Sequence, residues 1–350
     1  MGSQEHNRLA ARIPGVLAEI LGVRPADVQV HVNDRSGADF VIAAVGHEFV
    51  IEFKKGASAA TVAAAADKVR KYTKRSARRV IPLVAVPFMG DVGRRLCEEA
   101  GVGWFDLSGN ACIVSPGIRV IIAGRPNRYR APGRPTNLFA PTSSRVARWL
   151  LIHPEEAFTQ REIARSTGMT EGFVSRIVAR LEREGYVVRD DRAAVRPRDP
   201  ALLLEAWREA YQFSQHTVHQ GHVAARSGDM LLKLVCDGLK EQKIEYAVTG
   251  LAAAWVFTRF AGFVLTTIYL PDDPPPALIQ KLGYREEPRG ANLWLVVPND
   301  PGVFQGAVDK DGLHCVHPVQ AYLDLKGHPE RADAAAERLR EELLKWRRDG

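Results

Sequence analysis

The chain has 350 residues, of which 46% are hydrophobic and 25% charged, with 4 cysteines and a formal net charge of +7. This composition excludes a disordered chain, a collagen-like repeat and a disulfide-dense secreted scaffold, and the length accommodates two or three domains. Cys97, Cys112, Cys236 and Cys315 lie far apart with no CxxC pair, which speaks against a zinc knuckle and for a reducing compartment. The N-terminus shows no basic stretch followed by an apolar core. The longest apolar run, Val248 to Phe257, falls well short of the roughly 20 residues a membrane span needs. A soluble cytoplasmic protein is expected.

The first block, from the N-terminus to about Gly124, alternates helical and strand patterns. Leu9 to Leu21 has helical apolar spacing. Asp39 to Val45 and Glu48 to Phe53 read as two strands around Gly46-His47. Thr61 to Lys74 is an Ala-rich basic helix and Val80 to Val86 a β-branched strand. Asp91 to Ala100 is helical, followed by strands near Gly103 to Phe105, Ala111 to Val114 and Arg119 to Ile122. Asp106, Ser108 and Asn110 fall in a turn, where such side chains cap backbone groups.

Next, the segment from Gly124 to Pro135 carries three prolines and four arginines and reads as a basic linker. Charge is concentrated. Arg125 to Pro200 holds fifteen arginines and no lysine against nine acidic residues, and Lys54 to Arg79 holds nine basic residues against Asp67 alone. The remainder of the chain is net acidic. Basic surfaces of this kind suit a polyanion, with nucleic acid the leading candidate.

Between Thr142 and Pro200 three helices and a hairpin follow in order. Ser143 to Ile152 is the first helix, with Val146, Trp149 and Leu150 on one side. Phe158 to Ser166 is the second, with Thr159 and Glu162 spaced as a capping box. Thr167-Gly168-Met169 is a tight turn, and Thr170 caps a third helix, Glu171 to Glu184, which buries Val174, Ile177, Val178 and Leu181. Gly185 to Arg198 then reads as a hairpin, the wing. This is the layout of a winged helix-turn-helix. It resembles the MarR-like winged helices of bacterial regulators. Thr170, Glu171, Ser175, Arg176 and Arg180 stand at the start and outer face of the third helix, with Ser175 and Arg176 able to reach base edges. Arg165, Arg180, Arg189, Arg192, Arg196 and Arg198 are placed for phosphates.

In the first block, Glu52 and Lys54 are two apart and share a strand face, and Asp39 lies across the hairpin. Two carboxylates and an ammonium on one sheet edge suit Mg²⁺ and a transferring phosphate, with Glu19 on the preceding helix as a third oxygen ligand. The order helix–strand–strand–helix–strand, Ala38-Asp39 and Glu52-Phe53-Lys54 resemble the PD-(D/E)XK restriction-endonuclease-like fold. The departures are Ala38 in place of Pro, and Asp67-Lys68 near where a Gln is often found. The resemblance implies Asp39, Glu52 and Lys54 as catalytic residues and Asp39, Glu52 and Glu19 as metal ligands, should the site cleave.

The last block opens with helices around Ala201 to Phe213 and Asp229 to Gln242. Strands follow at Glu245 to Thr249, Val264 to Leu270 and Leu293 to Val297, and a charged helix from Arg331 to Arg347 closes it. His216, His219 and His222 are spaced i, i+3, i+6 without a nearby acidic or Cys partner, which reads as a polar helix end, and Asp272-Asp273 as a solvated loop. The segment from Tyr246 to Ala254 resembles the opening of a nucleotidyltransferase fold. Thr267 and Tyr269 stand where that fold carries metal-binding aspartates, which implies an inactive relative.

Gly103-Trp-Phe-Asp-Leu-Ser-Gly-Asn-Ala, the winged helix, and His317-Pro-Val-Gln-Ala-Tyr-Leu-Asp-Leu together resemble the AbiEi-like family of antitoxins and transcriptional regulators of type IV toxin–antitoxin systems. A preceding nuclease-like domain departs from that family, whose winged helix usually lies at the N-terminus. The expected architecture is α/β plus α. A restriction-endonuclease-like domain spans 1–124 and a linker 125–141; a winged helix-turn-helix spans 142–200 and a degenerate nucleotidyltransferase-like α+β domain 201–350. The expected activity is that of a DNA-binding repressor needing no cofactor, with a Mg²⁺-dependent DNA endonuclease as the alternative. Expected partners are double-stranded DNA and a second copy of the chain, with no membrane. The family resemblance adds a functional link to a nucleotidyltransferase toxin.

Overall fold

A computed structural model describes residues 2–31, 38–75, 80–129, 138–260 and 262–346, with side chains described from His6 onward and, in the helix ending at Arg75, as far as Tyr72. The expected linker's residues 130–137, Arg78 and Arg79 of the basic stretch, and the end of the last helix at Arg347 lie outside the described residues. The chain divides into two compact units, Met1–Pro135 and Thr136–Gly350. The second unit contains both the winged helix and the whole last block. Among the described residues no helix is long and apolar enough to cross a membrane.

The first unit runs α1 (Gly2–Ala10), α2 (Ile13–Leu21), β1 (Gln29–His31), β2 (Phe40–Ala44), β3 (His47–Phe53), α3 (Ala59–Arg75), β4 (Val80–Val86), α4 (Asp91–Glu99), β5 (Gly103–Asp106), β6 (Ala111–Ser115) and β7 (Ile118–Ile122). The single helix expected over Leu9 to Leu21 is two, because Pro14 sits in the first turn of α2 and favours a helix start. The seven strands lie side by side in sequence order. β1 to β3 form an antiparallel meander, β3, β4 and β5 are parallel, and β5 to β7 are antiparallel. One face packs Phe49, Ile51 and Phe53 against Ile13, Val16 and Leu17 of α2; on the other, Val84 and Val86 meet Val62, Ala66 and Val69 of α3. Covered on both faces, β4 reads as a continuous apolar run.

The second unit begins with α5 (Ser144–Ile152), α6 (Gln160–Thr167), α7 (Glu171–Arg183) and the hairpin β8 (Val187–Arg189) and β9 (Val195–Pro197). It continues through α8 (Pro200–Ala210), β10 (Thr217–His222), α9 (Gly228–Glu241), β11 (Ala247–Thr249), α10 (Gly250–Thr258), β12 (Thr266–Tyr269), α11 (Pro276–Leu282), β13 (Arg285–Glu286), β14 (Leu293–Val297), β15 (Val308–Lys310), β16 (Leu313–Cys315), α12 (Pro318–Asp324) and α13 (Ala332–Leu343). Its mixed sheet has the order β13-β10-β14-β12-β11-β16-β15.

His219 and His222 lie on a strand, not a helix, so the i, i+3, i+6 spacing does not align the three histidines; His216 just precedes it. His216 is instead buried between Tyr211 Oη (2.9 Å) and the Asn299 backbone N–H (3.1 Å), and His219 contacts Asp273 (3.0 Å). The strand expected to end at Thr249 does so as β11, and the apolar run continues as α10, which begins at Gly250 in left-handed backbone.

Buried polar groups join the winged helix to the sheet behind it. On α5, Arg145 makes a bidentate pair with Asp300 (2.8 and 2.9 Å). One turn on, Arg148 is 3% exposed, lies over the Trp207 ring (5.0 Å) and donates to Gln320 Oε1 (2.6 Å). Gln320 donates to Asp324 Oδ1 (2.7 Å), a buried carboxylate that also accepts from Tyr211, Thr249 (2.5 Å) and Tyr269 (3.1 Å). Burial raises the Asp324 acid to about 6, partly offset by these four donors.

The native state therefore holds a proton on Asp324 that an unfolded chain, with the ordinary value of 3.8, has released between about pH 4 and 6. Stability from this group is present below pH 4 and is lost as pH rises to about 6, with no further change above. Urea unfolding across pH 4–7 should show a wild-type stability that falls relative to Asp324→Asn over that window; a constant difference would contradict the assignment.

Candidate nucleic-acid interface and a buried acidic site

The helix-turn-helix is built by local chemistry. Thr159 Oγ1 accepts from the Glu162 N–H (3.3 Å) while Glu162 Oε2 accepts from the Thr159 N–H (2.7 Å), the reciprocal cap that starts α6. Gly168 closes α6 in left-handed backbone (φ 66°), a conformation glycine adopts without strain. Val174, Ile177, Val178 and Leu181 are buried as expected, which turns the other side of α7 outward. Thr170 occupies the N-cap position but makes no capping hydrogen bond, contrary to expectation.

Thr170, Glu171 and Arg176 are exposed, and Ser175 is half-buried. Arg176 lies over the Phe173 ring (5.5 Å). Glu171 pairs with Arg161 of α6 (3.0 Å), both largely exposed. The Gln160 amide, oriented by its neighbours, donates to Ser175 Oγ (3.3 Å) and accepts from Arg189 Nη1 and Nη2 (3.1 and 3.0 Å). Arg189 also pairs with Glu182 (3.0 Å), so this wing arginine is held against α6 and α7. Arg180 is partly buried near Glu184 (3.9 Å). Arg165, Arg192 and Arg198 are exposed, and Arg196 is partly buried on β9. Gln160 is a member of this surface that sequence reasoning missed; its place at the start of α6, beside the capping threonine, was the available signal.

In the first unit the strand alternation that sends Phe49, Ile51 and Phe53 to one core sends Glu52 toward α3. Glu52 is fully buried, and its Oε1 accepts from Lys54 (2.5 Å) and from Lys68 on α3 (2.8 Å). Asp39 Oδ2 accepts from the Phe53 N–H (2.9 Å) and lies 3.9 Å from Lys54 Nζ. Asp39, Glu52 and Lys54 are thus together, joined by Lys68. Glu19 is not with them, because its carboxylate pairs with Arg125 (2.8 Å). Among the described residues no group of three His, Cys, Asp or Glu side chains is placed to hold a metal ion. Glu52 Oε2 is buried with no hydrogen-bond partner.

The Asp106 turn is structural. Asp106 accepts from the backbone N–H of Met89 (3.2 Å) and Asn110 (2.9 Å), and Asn110 grips the Arg125 backbone through both amide atoms (2.8 and 3.1 Å). On β12, Thr267 is buried beside His328 (3.3 Å) and Tyr269 donates to Asp324.

Three helices, a glycine turn and a hairpin wing define residues 139–196 as a winged helix-turn-helix. A model of the MarR family matches these residues, so the chain carries a MarR-family winged-helix domain, of the kind used by DNA-binding transcriptional regulators. No curated protein and no solved structure matches the chain.

A buried carboxylate with an unmet oxygen is a poor stabiliser. Replacing it with an apolar side chain of similar size should stabilise the first unit, since Lys54 and Lys68 are exposed enough (34% and 49%) to return to water. We expect Glu52→Met to gain about 1 kcal/mol in the unfolding of this unit. A loss of comparable size would mean that the carboxylate is a structural keystone.

Proposed function

We propose that the protein is a transcriptional regulator that binds double-stranded DNA through the outer side of α7. The observation that carries this reading is the exposure of Thr170, Glu171 and Arg176 on the third helix of a MarR-family domain, flanked by arginines of α6 and the wing. Ser175 and Arg176 read base edges in the major groove, while Arg165, Arg192 and Arg198 meet phosphates. Glu171, which can only accept, disfavours the N7 and O6 acceptors of guanine and favours the amino group of cytosine. The finer reading, an antitoxin-like repressor of its own operon linked to a nucleotidyltransferase toxin, rests on the AbiEi-like resemblance of Gly103 to Ala111 and His317 to Leu325.

Selection of bound duplexes followed by salt titration tests this reading. Arg165→Ala or Arg192→Ala should weaken all duplexes alike and reduce the slope of log affinity against log salt by about 0.9 each. Arg176→Ala should lower preference for the selected site over random duplex by about tenfold or more. Unchanged site binding in the double substitution Arg176→Ala, Arg180→Ala would remove α7 from the interface.

A second reading is favoured by Glu52, which has one orphaned buried oxygen and whose other oxygen is held by Lys54 and Lys68, with Asp39 beside Lys54. Together with the order of β1 to β4, it supports a DNA endonuclease of PD-(D/E)XK type, targeted by the winged helix. Asp39 and Glu52 would hold Mg²⁺, which supplies an activated water and charge neutralisation at phosphate when bound. Two carboxylates suffice where phosphate and water complete the shell. Lys54 would orient the scissile phosphate, and Lys68 holds Glu52 in place. Mg²⁺-dependent nicking of duplex DNA, abolished in Glu52→Gln and Lys54→Met, is the expected result, and its absence on duplex, branched and single-stranded DNA removes this reading.

A further inference from the structure

The seven-stranded sheet of the first unit ends differently on its two sides. β1 is three residues long, and so short an edge offers little to pair with. β7, on the other side, has five residues, Ile118-Arg-Val-Ile-Ile, with neither proline nor lysine to guard it. Ile118, Val120 and Ile122 pack at the margin of the α2 core and stay half-buried. The opposite face of β6 and β7 is bare: Val114 and Ile121 are each 56% exposed, and Cys112 lies across from Ile121. Burial and Glu98 of α4 raise the Cys112 thiol while Arg119 lowers it, so both charges stand near this face. Arg119 and Glu98 are exposed, and neither is in an ion pair among the described residues.

We propose that β7 is the seam of a homodimer, pairing antiparallel with β7 of a second copy about a two-fold axis at Val120. The strand itself selects this partner and this register. Centring on Val120 sets Arg119 opposite the partner's Ile121 and Ile118 opposite the partner's Ile122, so all five residues pair. Opposed residues share a face, so the half-buried aliphatic residues of the two copies meet and extend one core into the other. On the bare face Ile121 stands between Cys112 and the partner's Arg119, which brings that guanidinium into line with Glu98. Symmetry makes this contact twice, and the two arginines lie on a diagonal, not opposite each other. A strand of another protein would have to supply the matching charge, whereas a second copy carries it by symmetry. The seam lies in the first unit, outside the family match at residues 139–196.

Sedimentation equilibrium of the full chain should show reversible self-association to a dimer. Arg119→Glu, which turns a carboxylate toward the partner's Glu98, should weaken it by about tenfold or more. Adding Glu98→Arg to that variant should restore it. Ile121→Lys, a charge placed on the edge, should also disrupt it. All three positions are exposed, so the fold itself is spared. Under copper-catalysed air oxidation Val120→Cys should give a covalent dimer, because opposed residues have Cα atoms about 4.5–5.5 Å apart. Arg119→Cys should not, since its two copies lie beyond the roughly 7 Å that a disulfide spans. A monomer at every concentration would overturn the seam and leave the edge to a strand of another protein. Self-association unchanged in Arg119→Glu and Ile121→Lys, or cross-linking of Arg119→Cys in preference to Val120→Cys, would equally overturn it.

Discussion

The second unit depends on ions held out of water behind the helix-turn-helix. Burying a guanidinium costs several kcal/mol, and only close partners offset it. Arg148 has the Trp207 ring and Gln320, and Gln320 passes the contact on to Asp324, which four side chains hold. Arg145, one turn earlier, is clamped by Asp300. These contacts leave α5 little freedom to rotate against the sheet, because any shift strands a charge. The helix-turn-helix is therefore presented by the sheet and not merely tethered to it. The family match ends at residue 196, whereas the structural unit that positions the match runs to the end of the chain.

Much of this architecture was legible because the helices and strands carry clean periods. Val80–Val86 and Leu293–Val297 read as strands from apolar β-branched runs, and α6 from the Thr159–Glu162 cap. What escaped had no local signature. β1 is a three-residue edge strand with every residue exposed, so it lacks the alternation that marks a half-buried strand. α10 is buried nearly all round, and an element with no polar face shows no period. Thr217–His222 follows a helix closely enough that its histidines read as helical, while their actual register is fixed by pairing with β14 across the sheet.

The candidate sites divide in the same way. Glu52-x-Lys54 was readable because residues two apart share a strand face, and Asp39 because a hairpin brings it opposite. Lys68 could be placed only on the helix that follows; that it reaches Glu52 depends on how α3 packs on the sheet. Charge counting misled in one respect. Arg145 and Arg148 belong to the arginine-rich stretch that suggested a polyanion, yet both face the interior. The exposed cations are fewer than the count implies, and those of the second unit's share of the stretch sit on α6, α7 and the wing. The concentration of arginine serves two ends, since the planar guanidinium that grips phosphate is also the cation best suited to stacking on a buried indole.

Glu52 and Arg148 share a feature that neither packing nor secondary structure explains. Each is fully or almost fully buried, each has one edge satisfied by the chain, and each has an opposite edge with nothing to bond. Selection for stability alone would replace either with a neutral side chain, since an incompletely paired buried ion is worse than an apolar substitute. A fold otherwise consistent across its levels tends to break the rules where it meets something outside itself. Glu52 lacks a donor on one oxygen and Arg148 lacks acceptors on two nitrogens, so the two unmet edges are opposite in sign. The half-satisfied ion is in each case the strongest physical reason to look there for chemistry that the chain does not complete by itself.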